Sequence, residues 1–483
     1  MNKELRWFLL LVGMFFLVNL ITLSRFPSVW VDQVEFADPA VRLATGHGFT
    51  STAWFGQDSD HFFAGNVPLY SGLLGGWLSL VGSGLVTERL FNILLFIGFM
   101  FLAWRFLRTS ELVSKPGWRL TAMALLATGH AMAFSFRSGR YDVTGMFLAA
   151  AALNLWTARR GRIFLIAVGM LMPAAGLQML PATFVACAIL LLFQQRDAIK
   201  PSAMLLGGCT AGAVGLGILY SSFGVWADFR RSVSAIGMAA QSLTDKMRSI
   251  PAAYLHDKSG LLVFAAGLLL LISAARTRAT RRRRFVMGAL CLAIMLPAVL
   301  QMAGKFPIYY GWMIFVPLTF ACTSLASDEW KNIGLPIRAL AACLLTAAMA
   351  IGLPLRIVSV IASWNEREPL FLDDFVKAYV PPGETVLADF KLYYALRDTG
   401  AHPILPTYIP ALRPSEREKI SVLLLRQADL PAAQRALGDD WEPTGEFLLP
   451  PRCPGIFLRS ISELRDESYP IVAYRRAGQI SRP

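Results

Sequence analysis

The sequence predicts a multi-pass α-helical membrane protein that ends in a small α/β domain outside the membrane. Of its 483 residues, 55% are hydrophobic and only 16% are charged, and the mean hydropathy is +0.50. Soluble domains carry about 25% charged residues, so this composition is typical of a membrane protein. Apolar runs long enough to cross a bilayer recur along the chain, and after about residue 360 they stop.

The apolar runs predict about eleven membrane spans. They lie at roughly 6–24, 87–107, 119–136, 141–157, 163–178, 182–194, 202–222, 259–275, 285–303, 311–327 and 338–357. The sixth run is short enough to be half a span. The first run follows Met1–Arg6, and no small-residue cleavage site stands out after it, so we expect it to remain as an uncleaved span.

The basic residues predict the orientation of these spans. The short loops on one side hold about 19 Lys and Arg in about 57 residues, whereas the loops on the other side hold about 10 in about 114. By the positive-inside rule, the N-terminus is cytoplasmic and the loop at 25–86 faces outward. The strongest topology signal is the basic cluster Arg276–Arg284. A net charge of +14 that is distributed in this way argues against a nucleic-acid partner.

The sequence predicts two domains, a membrane module at 1–360 and an extracytoplasmic α/β domain at 361–483. The second part is charged and proline-rich, and in it short strand-like runs alternate with helix-like runs. The predicted strands are Thr385–Ala388, Val422–Leu425 and Ile471–Tyr474, and the predicted helices are Pro414–Lys419 and Pro431–Leu437.

The first outer loop, 25–86, concentrates the acidic residues of an otherwise apolar module. Asp32 follows a Pro-x-x-Trp turn at the end of the first span, and Glu35 and Asp38 follow at three-residue spacing. If this segment is helical, the three carboxylates share one face. Carboxylates that crowd near a low-dielectric boundary can have a raised pKa, which suits a general base. A solvated acidic face beside the bilayer is the alternative.

The same loop resembles the first extracytoplasmic loop of the GT-C-fold glycosyltransferases, in particular protein O-mannosyltransferases and lipid A aminoarabinose transferases. The resemblance covers WVDQVEFADPAVRLATGHGFTS and AGNVPLYSGLLGGWLSLVG. In that family an acidic pair ends the first span, an A-x-x-L-x-x-G-x-G run follows, and a Pro-Pro-Leu-Tyr-like segment opens a helix. The resemblance implies that Asp32 is catalytic, with Glu35 or Asp38 as a helper. Gln33 replaces the usual second acid, and Asn66 stands where a lysine is common.

The outer turn from Phe136 to Asp142 is a second candidate site. Arg140 and Asp142 resemble the Arg-x-Asp element of that family, and a guanidinium can bind a phosphate through two parallel hydrogen bonds. An internal Arg–Asp ion pair is the alternative. Lys305, in GKFPIYYGW, could supply the cation that position 66 lacks, although the neighbouring aromatics also fit an interfacial belt. The predicted substrate and donor-phosphate residues are Arg137, Arg140, Asp142, Lys305, Asn66, Tyr70 and Tyr309.

No metal site or cofactor is predicted from residue spacing. His47 and His61 lack a HExxH or HxxxH partner, and the six cysteines show no CxxC pattern and no disulfide framework. A divalent ion held by carboxylates is compatible with the resemblance.

The lengths of the loops favour a lipid-linked substrate. The inner loops are too short to build a nucleotide-sugar pocket, and nucleotide-activated sugars are absent from the outer side. The resemblance implies a hexosyl- or pentosyltransferase of the bacterial inner membrane. It would move a sugar, with inversion, from a polyprenyl-phosphate donor to an envelope lipid, glycan or protein. The alternatives are a lipid-linked sugar flippase or transporter, an O-antigen ligase or polymerase, and an envelope assembly or sensor protein.

Overall fold

The computed structural model describes residues 3–55, 57–158, 161–194, 196–236, 242–255, 257–273, 281–438, 440–448 and 470–477. Most of the Arg276–Arg284 cluster lies outside these residues. The first helices are α1 Lys3–Thr22, α2 Val31–Ala44, α3 Leu69–Val81, α4 Leu85–Thr109, α5 Pro116–Thr128, α6 His130–Arg137, α7 Asp142–Thr157, α8 Phe164–Ala175, α9 Met179–Gln194 and α10 Arg196–Ser222. They are followed by α11 Trp226–Ile236, α12 Leu243–Leu255, α13 Lys258–Ser273, α14 Arg281–Ala303, α15 Trp312–Glu329, α16 Leu335–Ala350, α17 Leu353–Ala362, α18 Leu370–Tyr379, α19 Tyr393–Asp398, α20 Pro414–Lys419 and α21 Leu430–Leu437.

Residue contacts divide the chain into two compact units. The first unit comprises Met1–Leu20, Asn92–Leu219 and Ser234–Ile357, and the second comprises Ile21–Phe91, Tyr220–Val233 and Val358–Pro483. The first outer loop is grouped with the C-terminal segment in the second unit. The predicted domain boundary near residue 360 stays a prediction.

Among the residues that the structure describes, four helices are long and apolar enough to cross a membrane. They are Lys3–Thr22, Leu85–Thr109, Ala198–Ser222 and Arg284–Ala303. The bent pair α16 and α17, at 44°, would make a fifth span. Further apolar helices, such as α8 and α13, are shorter. The predicted count of eleven spans is therefore not confirmed.

Two of the predicted spans are broken at a glycine. The run at 119–136 divides at Gly129, whose ψ of 146° is not helical, and the run at 338–357 divides just before Leu353. A Cβ added to Gly129 would lie 2.5 Å from Phe315 Cζ, and one added to Gly352 would lie 1.8 Å from the carbonyl oxygen of Thr128. The two breaks therefore pack against each other, at a distance that only glycine allows.

The C-terminal segment contains a five-stranded mixed sheet in the order β2-β1-β3-β5-β4. The strands are β1 Thr385–Ala388, β2 His402–Ile404, β3 Ile420–Arg426, β4 Trp441–Leu448 and β5 Pro470–Arg476. Strand β1 is parallel to β2 and β3, and β5 is antiparallel to β3 and β4. The three predicted strands and two predicted helices are confirmed to within a few residues.

Strands β2 and β4 were not predicted from the sequence. Strand β2 has three residues, one of which is proline, and β4 contains Pro443 and Gly445, so neither segment has the composition of a strand. Strand β4 nevertheless pairs with β5 along its length, with a register shift between Pro443 and Gly445. Pairing with neighbouring strands, rather than local propensity, determines both strands.

An ion-pair cluster connects the first outer loop to the sheet region within the second unit. The guanidinium of Arg413 contacts the carboxylates of Asp58, Asp60 and Glu416. The Ser59 hydroxyl donates to Glu416 at 2.5 Å, and the Ser59 amide donates to the Tyr408 hydroxyl at 2.8 Å. We call these six residues the loop latch.

Acidification is expected to weaken the loop latch. The hydrogen bond from Arg413 lowers the pKa of Asp60 below its ordinary value of 3.8. For Glu416, burial opposes ionisation, but hydrogen bonds from Ser59 and Arg413 hold its pKa below 4.5. A carboxylate whose pKa is lowered on folding stabilises the fold at pH values above its ordinary pKa. This contribution is lost as the pH falls through the lowered pKa of the folded protein.

We therefore expect Arg413→Gln to lower the thermal unfolding temperature at pH 7. The difference from the wild type should shrink below about pH 4, where the carboxylates become protonated in both proteins. Thermal unfolding of both proteins in detergent between pH 7 and pH 3 measures this. A difference that stays constant over this range would show that the latch carboxylates do not stabilise the fold through ionisation.

Candidate functional site

The helix that carries the predicted catalytic acids begins directly after an extended residue. Trp30 has φ −135° and ψ 164°, and α2 follows from Val31. Asp32 lies in the first turn of α2, where the helix dipole favours a carboxylate, and its side chain is half-buried. Residues Val31–Ala44 are helical, so the condition under which Asp32, Glu35 and Asp38 share one face is met.

The three carboxylates on this face differ in burial and in their partners. Asp32 is half-buried, Glu35 is buried and Asp38 is inaccessible to solvent. Asp38 Oδ2 accepts hydrogen bonds from the Ser51 hydroxyl and the Thr52 amide, and Oδ1 accepts from the Tyr393 hydroxyl at 2.8 Å and from Arg397 at 3.1 Å. Burial raises the pKa of Tyr393 well above its ordinary value, so this hydroxyl stays a donor at neutral pH. Asp38 therefore fixes α2 in place, and Asp32 and Glu35 remain the predicted catalytic acids.

Removing the Asp38 carboxylate is expected to destabilise the second unit. Asp38→Ala leaves the largely buried Arg397 without its carboxylate, and breaking a buried pair costs about 3 kcal/mol. The thermal unfolding temperature should fall by roughly 6 °C or more. The matched control is Asp374→Ala, because Asp374 is exposed and lies in the same unit. Similar unfolding temperatures for the two variants would contradict a structural role for Asp38.

Gln33, which replaces the second acid of the family pattern, belongs to a buried polar network. Its Oε1 accepts from Arg89 at 2.9 Å, and its Nε2 donates to the Tyr394 hydroxyl at 3.3 Å. Arg89 also donates to the carbonyl of Leu23, and Tyr394 donates to Glu88. Gln33 thus accepts one hydrogen bond and donates another. An ionised carboxylate can only accept hydrogen bonds, so an amide suits this position better than an acid.

Asn66 and Tyr70 are both buried near the start of α3. Asn66 Oδ1 accepts from the amide of Val67, and the Asn66 carbonyl accepts from the Tyr220 hydroxyl at 2.6 Å. The Tyr70 ring packs edge-on against Phe36 of α2. Their role as substrate contacts stays a prediction.

In the first unit, the predicted Arg-x-Asp element forms a buried ion pair. Helix α6 ends at Arg137, Gly139 turns the chain with φ 65°, and α7 begins at Asp142. Arg140 Nε donates to Asp142 Oδ2 at 2.8 Å, and both side chains are almost fully buried. Arg137 donates to Asn19 Oδ1 at 2.5 Å. The ion pair that the sequence left as an alternative is therefore present, and phosphate binding by this turn stays a prediction.

The structure brings this turn together with the Lys305–Gly311 segment. The Arg140 Cζ atom lies 3.5 Å from the centre of the Tyr309 ring, close enough for a cation–π interaction. The Ser135 hydroxyl donates to the carbonyl of Tyr309, and the hydroxyls of Tyr141 and Tyr310 are 3.2 Å apart. Tyr309 is buried and Lys305 is half-buried. Two segments that the sequence singled out separately thus form one cluster around Arg140.

Sequence reasoning missed a second polar cluster of the first unit, where the broken helices meet. Arg356 Nη2 lies 3.0 Å from His130 Nδ1, and the His130 amide donates to the Ser259 hydroxyl. Asp257, buried before α13, lies within electrostatic range of Arg356. Arg356 is a lone arginine in the apolar stretch after Gly352, and a charge in such a stretch needs a polar partner. This was the sequence signal that could have revealed the cluster.

Within the described ranges, no group of three or more His, Cys, Asp or Glu side chains is placed to hold a metal ion. The two histidines considered from sequence have other neighbours. The ring of His61 lies 3.4 Å from Asp228, and the ring of His47 lies 3.0 Å from the Thr45 hydroxyl. Burial and the charge of Arg42 lower the pKa of His47.

No protein-family model matches the chain, and no curated protein matches its sequence. Among solved structures it is similar to ArnT from Cupriavidus metallidurans, which was crystallised with undecaprenyl phosphate. That similarity has a TM-score of 0.59 at 11% identity and covers 96% of this chain and 98% of ArnT. The chain has the GT-C fold.

The GT-C fold was predicted from the first outer loop, and the similarity to ArnT confirms it. The oligosaccharyltransferase AglB from Archaeoglobus fulgidus, in complex with an inhibitory peptide and a dolichol-phosphate, is also similar. Its TM-score is 0.46 at 12% identity, over 91% of this chain and 73% of AglB.

Proposed function

We propose that this chain is an integral membrane glycosyltransferase that uses a polyprenyl-phosphate sugar as donor. The observation that carries this is the match in fold along almost the whole chain to ArnT, which was crystallised with undecaprenyl phosphate. The acidic helix after the first apolar helix adds support, because Asp32 remains half-buried while Asp38 is committed to structure. The acceptor is an envelope lipid, glycan or protein on the extracytoplasmic side.

An apolar cavity of about 200 Å³ in the first unit suits the lipid tail of such a donor. It is enclosed mainly by α7, α9, α14 and α15, and its lining includes Trp156, Phe193, Trp312 and Phe320. Arg284 is the one charged side chain in the described lining. A prenyl chain buried here would gain about 25 cal/mol for each Å² of apolar surface removed from water.

We assign the chemistry to a single displacement at the anomeric carbon. The Asp32 carboxylate takes the proton of the acceptor hydroxyl, and the acceptor oxygen forms the new bond to the anomeric carbon. The bond from that carbon to the phosphate oxygen breaks, and the carrier leaves as a phosphate monoester dianion. Arg140 stabilises this charge, with Arg137, Lys305 and Tyr309 in support and Glu35 assisting Asp32. A single displacement inverts the anomeric configuration.

One observation favours a second candidate function, a flippase for a lipid-linked sugar. Broken helices and buried ionisable groups are typical of transporters, and the described first unit has both. The breaks at Gly129 and Gly352 meet, and His130, Arg356 and Asp257 lie beside them.

Proteoliposomes with radiolabelled donors distinguish the two functions. A glycosyltransferase should move label from undecaprenyl-phosphate sugar to envelope lipid or glycan acceptors, whereas a flippase should move the intact donor between leaflets. An undecaprenyl-diphosphate sugar provides the control for ligase-type chemistry. Movement of donor without transfer to any acceptor would contradict the proposed enzyme, and so would transfer from the diphosphate donor alone.

A further inference from the structure

A cavity of about 340 Å³ in the second unit lies apart from the acids of α2, since neither Asp32 nor Glu35 is among its lining residues. Three stretches of chain form it. One follows α1 and includes Ser24 and Ser28, another is the α3–α4 turn at 81–87, and the third runs from Arg367 to Asp398. The first two stretches adjoin the helices α1 and α4, which are long and apolar enough to span a membrane. The cavity therefore adjoins the ends of two candidate membrane spans.

The lining of this cavity carries charges of both signs. Arg367 and Lys391 are both buried, at 4% and 8% exposure, and Asp373 and Asp398 contribute two carboxylates. Burial raises the pKa of both carboxyl groups, and the charge of Asp398 raises the pKa of Asp373 further. The two acids lie within electrostatic range of each other and of the exposed Lys377, so an ammonium group beside them would be stabilised.

Apolar side chains are exposed beside the cavity. Leu80 is 85% exposed, and Val81 and Val86, which flank the α3–α4 turn, are also exposed. Leu370 and Phe371 expose further apolar surface next to Pro369, a lining residue. The cavity is polar, is lined by both basic and acidic side chains, and has an apolar rim. These features suit an amphiphile better than a soluble sugar.

We propose that this cavity binds the headgroup of a phospholipid that carries a phosphate and a primary amine. Arg367 and Lys391 hold the phosphate, Asp373 and Asp398 accept hydrogen bonds from the ammonium group, and the acyl chains lie along the apolar rim. A headgroup with only an anion would leave the two carboxylates facing a like charge. The site is separate from Asp32 and does not depend on sugar transfer.

Lipid binding to the full-length purified protein tests this site. The probes are phosphatidylethanolamine, phosphatidylglycerol with the same acyl chains, and soluble phosphoethanolamine, with native mass spectrometry as the readout. Phosphatidylethanolamine should bind at least about tenfold tighter than phosphatidylglycerol, because only its ammonium group can donate charge-assisted hydrogen bonds to Asp373 and Asp398. It should also bind at least about tenfold tighter than phosphoethanolamine, because its acyl chains bury apolar surface on the rim.

Matched variants separate the two halves of the site. Asp373→Asn should reduce the preference for phosphatidylethanolamine, whereas Asp374→Asn, one residue away and not in the lining, should leave it unchanged. Lys391→Met should weaken the binding of both phospholipids, unlike Lys419→Met, whose side chain is exposed and outside the lining. If Lys391→Met does not fold, the comparison of Asp373→Asn with Asp374→Asn decides, since Asp373 is only half-buried.

Equal binding of the two phospholipids by the wild type would overturn the proposal, as would equal effects of the two Asp variants. Phosphoethanolamine binding as tight as the phospholipid would show a site for a soluble headgroup and would overturn the lipid assignment.

Discussion

Replacing Asp32 with Asn should reduce sugar transfer by about 10²–10⁴-fold, which is the contribution of a positioned general base. The substitution keeps the size and shape of the side chain and removes its negative charge, and with it the proposed ability to accept the proton of the acceptor hydroxyl. Asp32 is half-buried in the first turn of α2, so the neutral amide should not unfold the helix. Initial rates of transfer from a radiolabelled polyprenyl-phosphate sugar measure the effect.

The controls for Asp32→Asn examine folding and donor binding. Its yield, membrane insertion and thermal unfolding temperature should match those of the wild type, and its affinity for the lipid donor should be retained. Asp60→Asn, in the same loop but on an exposed side chain, should keep near wild-type activity. Near wild-type turnover by Asp32→Asn on the true substrate pair would exclude Asp32 as the base.

Neutralising Arg140 and Asp142 together should lower transfer by about 10²–10³-fold in a protein that still folds. Arg140→Gln alone leaves the Asp142 carboxylate buried at 0% exposure, so loss of activity in that variant could reflect misfolding alone. The double variant Arg140→Gln/Asp142→Asn removes both charges. If Arg140 stabilises the charge of the departing phosphate, the double variant should fold but should remain as defective in sugar transfer as Arg140→Gln.

The opposite result has an equally clear meaning. A double variant that folds and keeps wild-type transfer would show that Arg140 does not stabilise the departing phosphate, and any loss of stability in it would measure the role of the pair in fixing the turn between α6 and α7. The matched control is Glu4→Gln/Arg119→Gln, which neutralises another buried pair of the first unit, with Nη2 2.6 Å from Oε2. Activity and thermal unfolding should be measured on the same samples, because only their combination separates the two roles.

Local sequence patterns were sufficient to predict the elements that carry the candidate site. The length of the apolar runs predicted helices, and the three-residue spacing of the acids showed that they would share one face if their segment were helical. Short strand-like runs predicted β1, β3 and β5. These features depend on residues close together in the chain, so periodicity and propensity report them. The resemblance of the first outer loop extended this to the GT-C fold.

Only the tertiary structure decided which polar groups meet. Asp38 had the same spacing as the predicted catalytic acids, but Tyr393 and Arg397, more than 350 residues away, engage its carboxylate. Arg140 lies against Tyr309, and the helix breaks at Gly129 and Gly352 exist because two backbones pack in direct contact there. Local patterns depend on neighbouring residues, whereas such partners are brought together by long-range packing. The sequence therefore predicted where the acids lie, and the fold determined which of them remain available for chemistry.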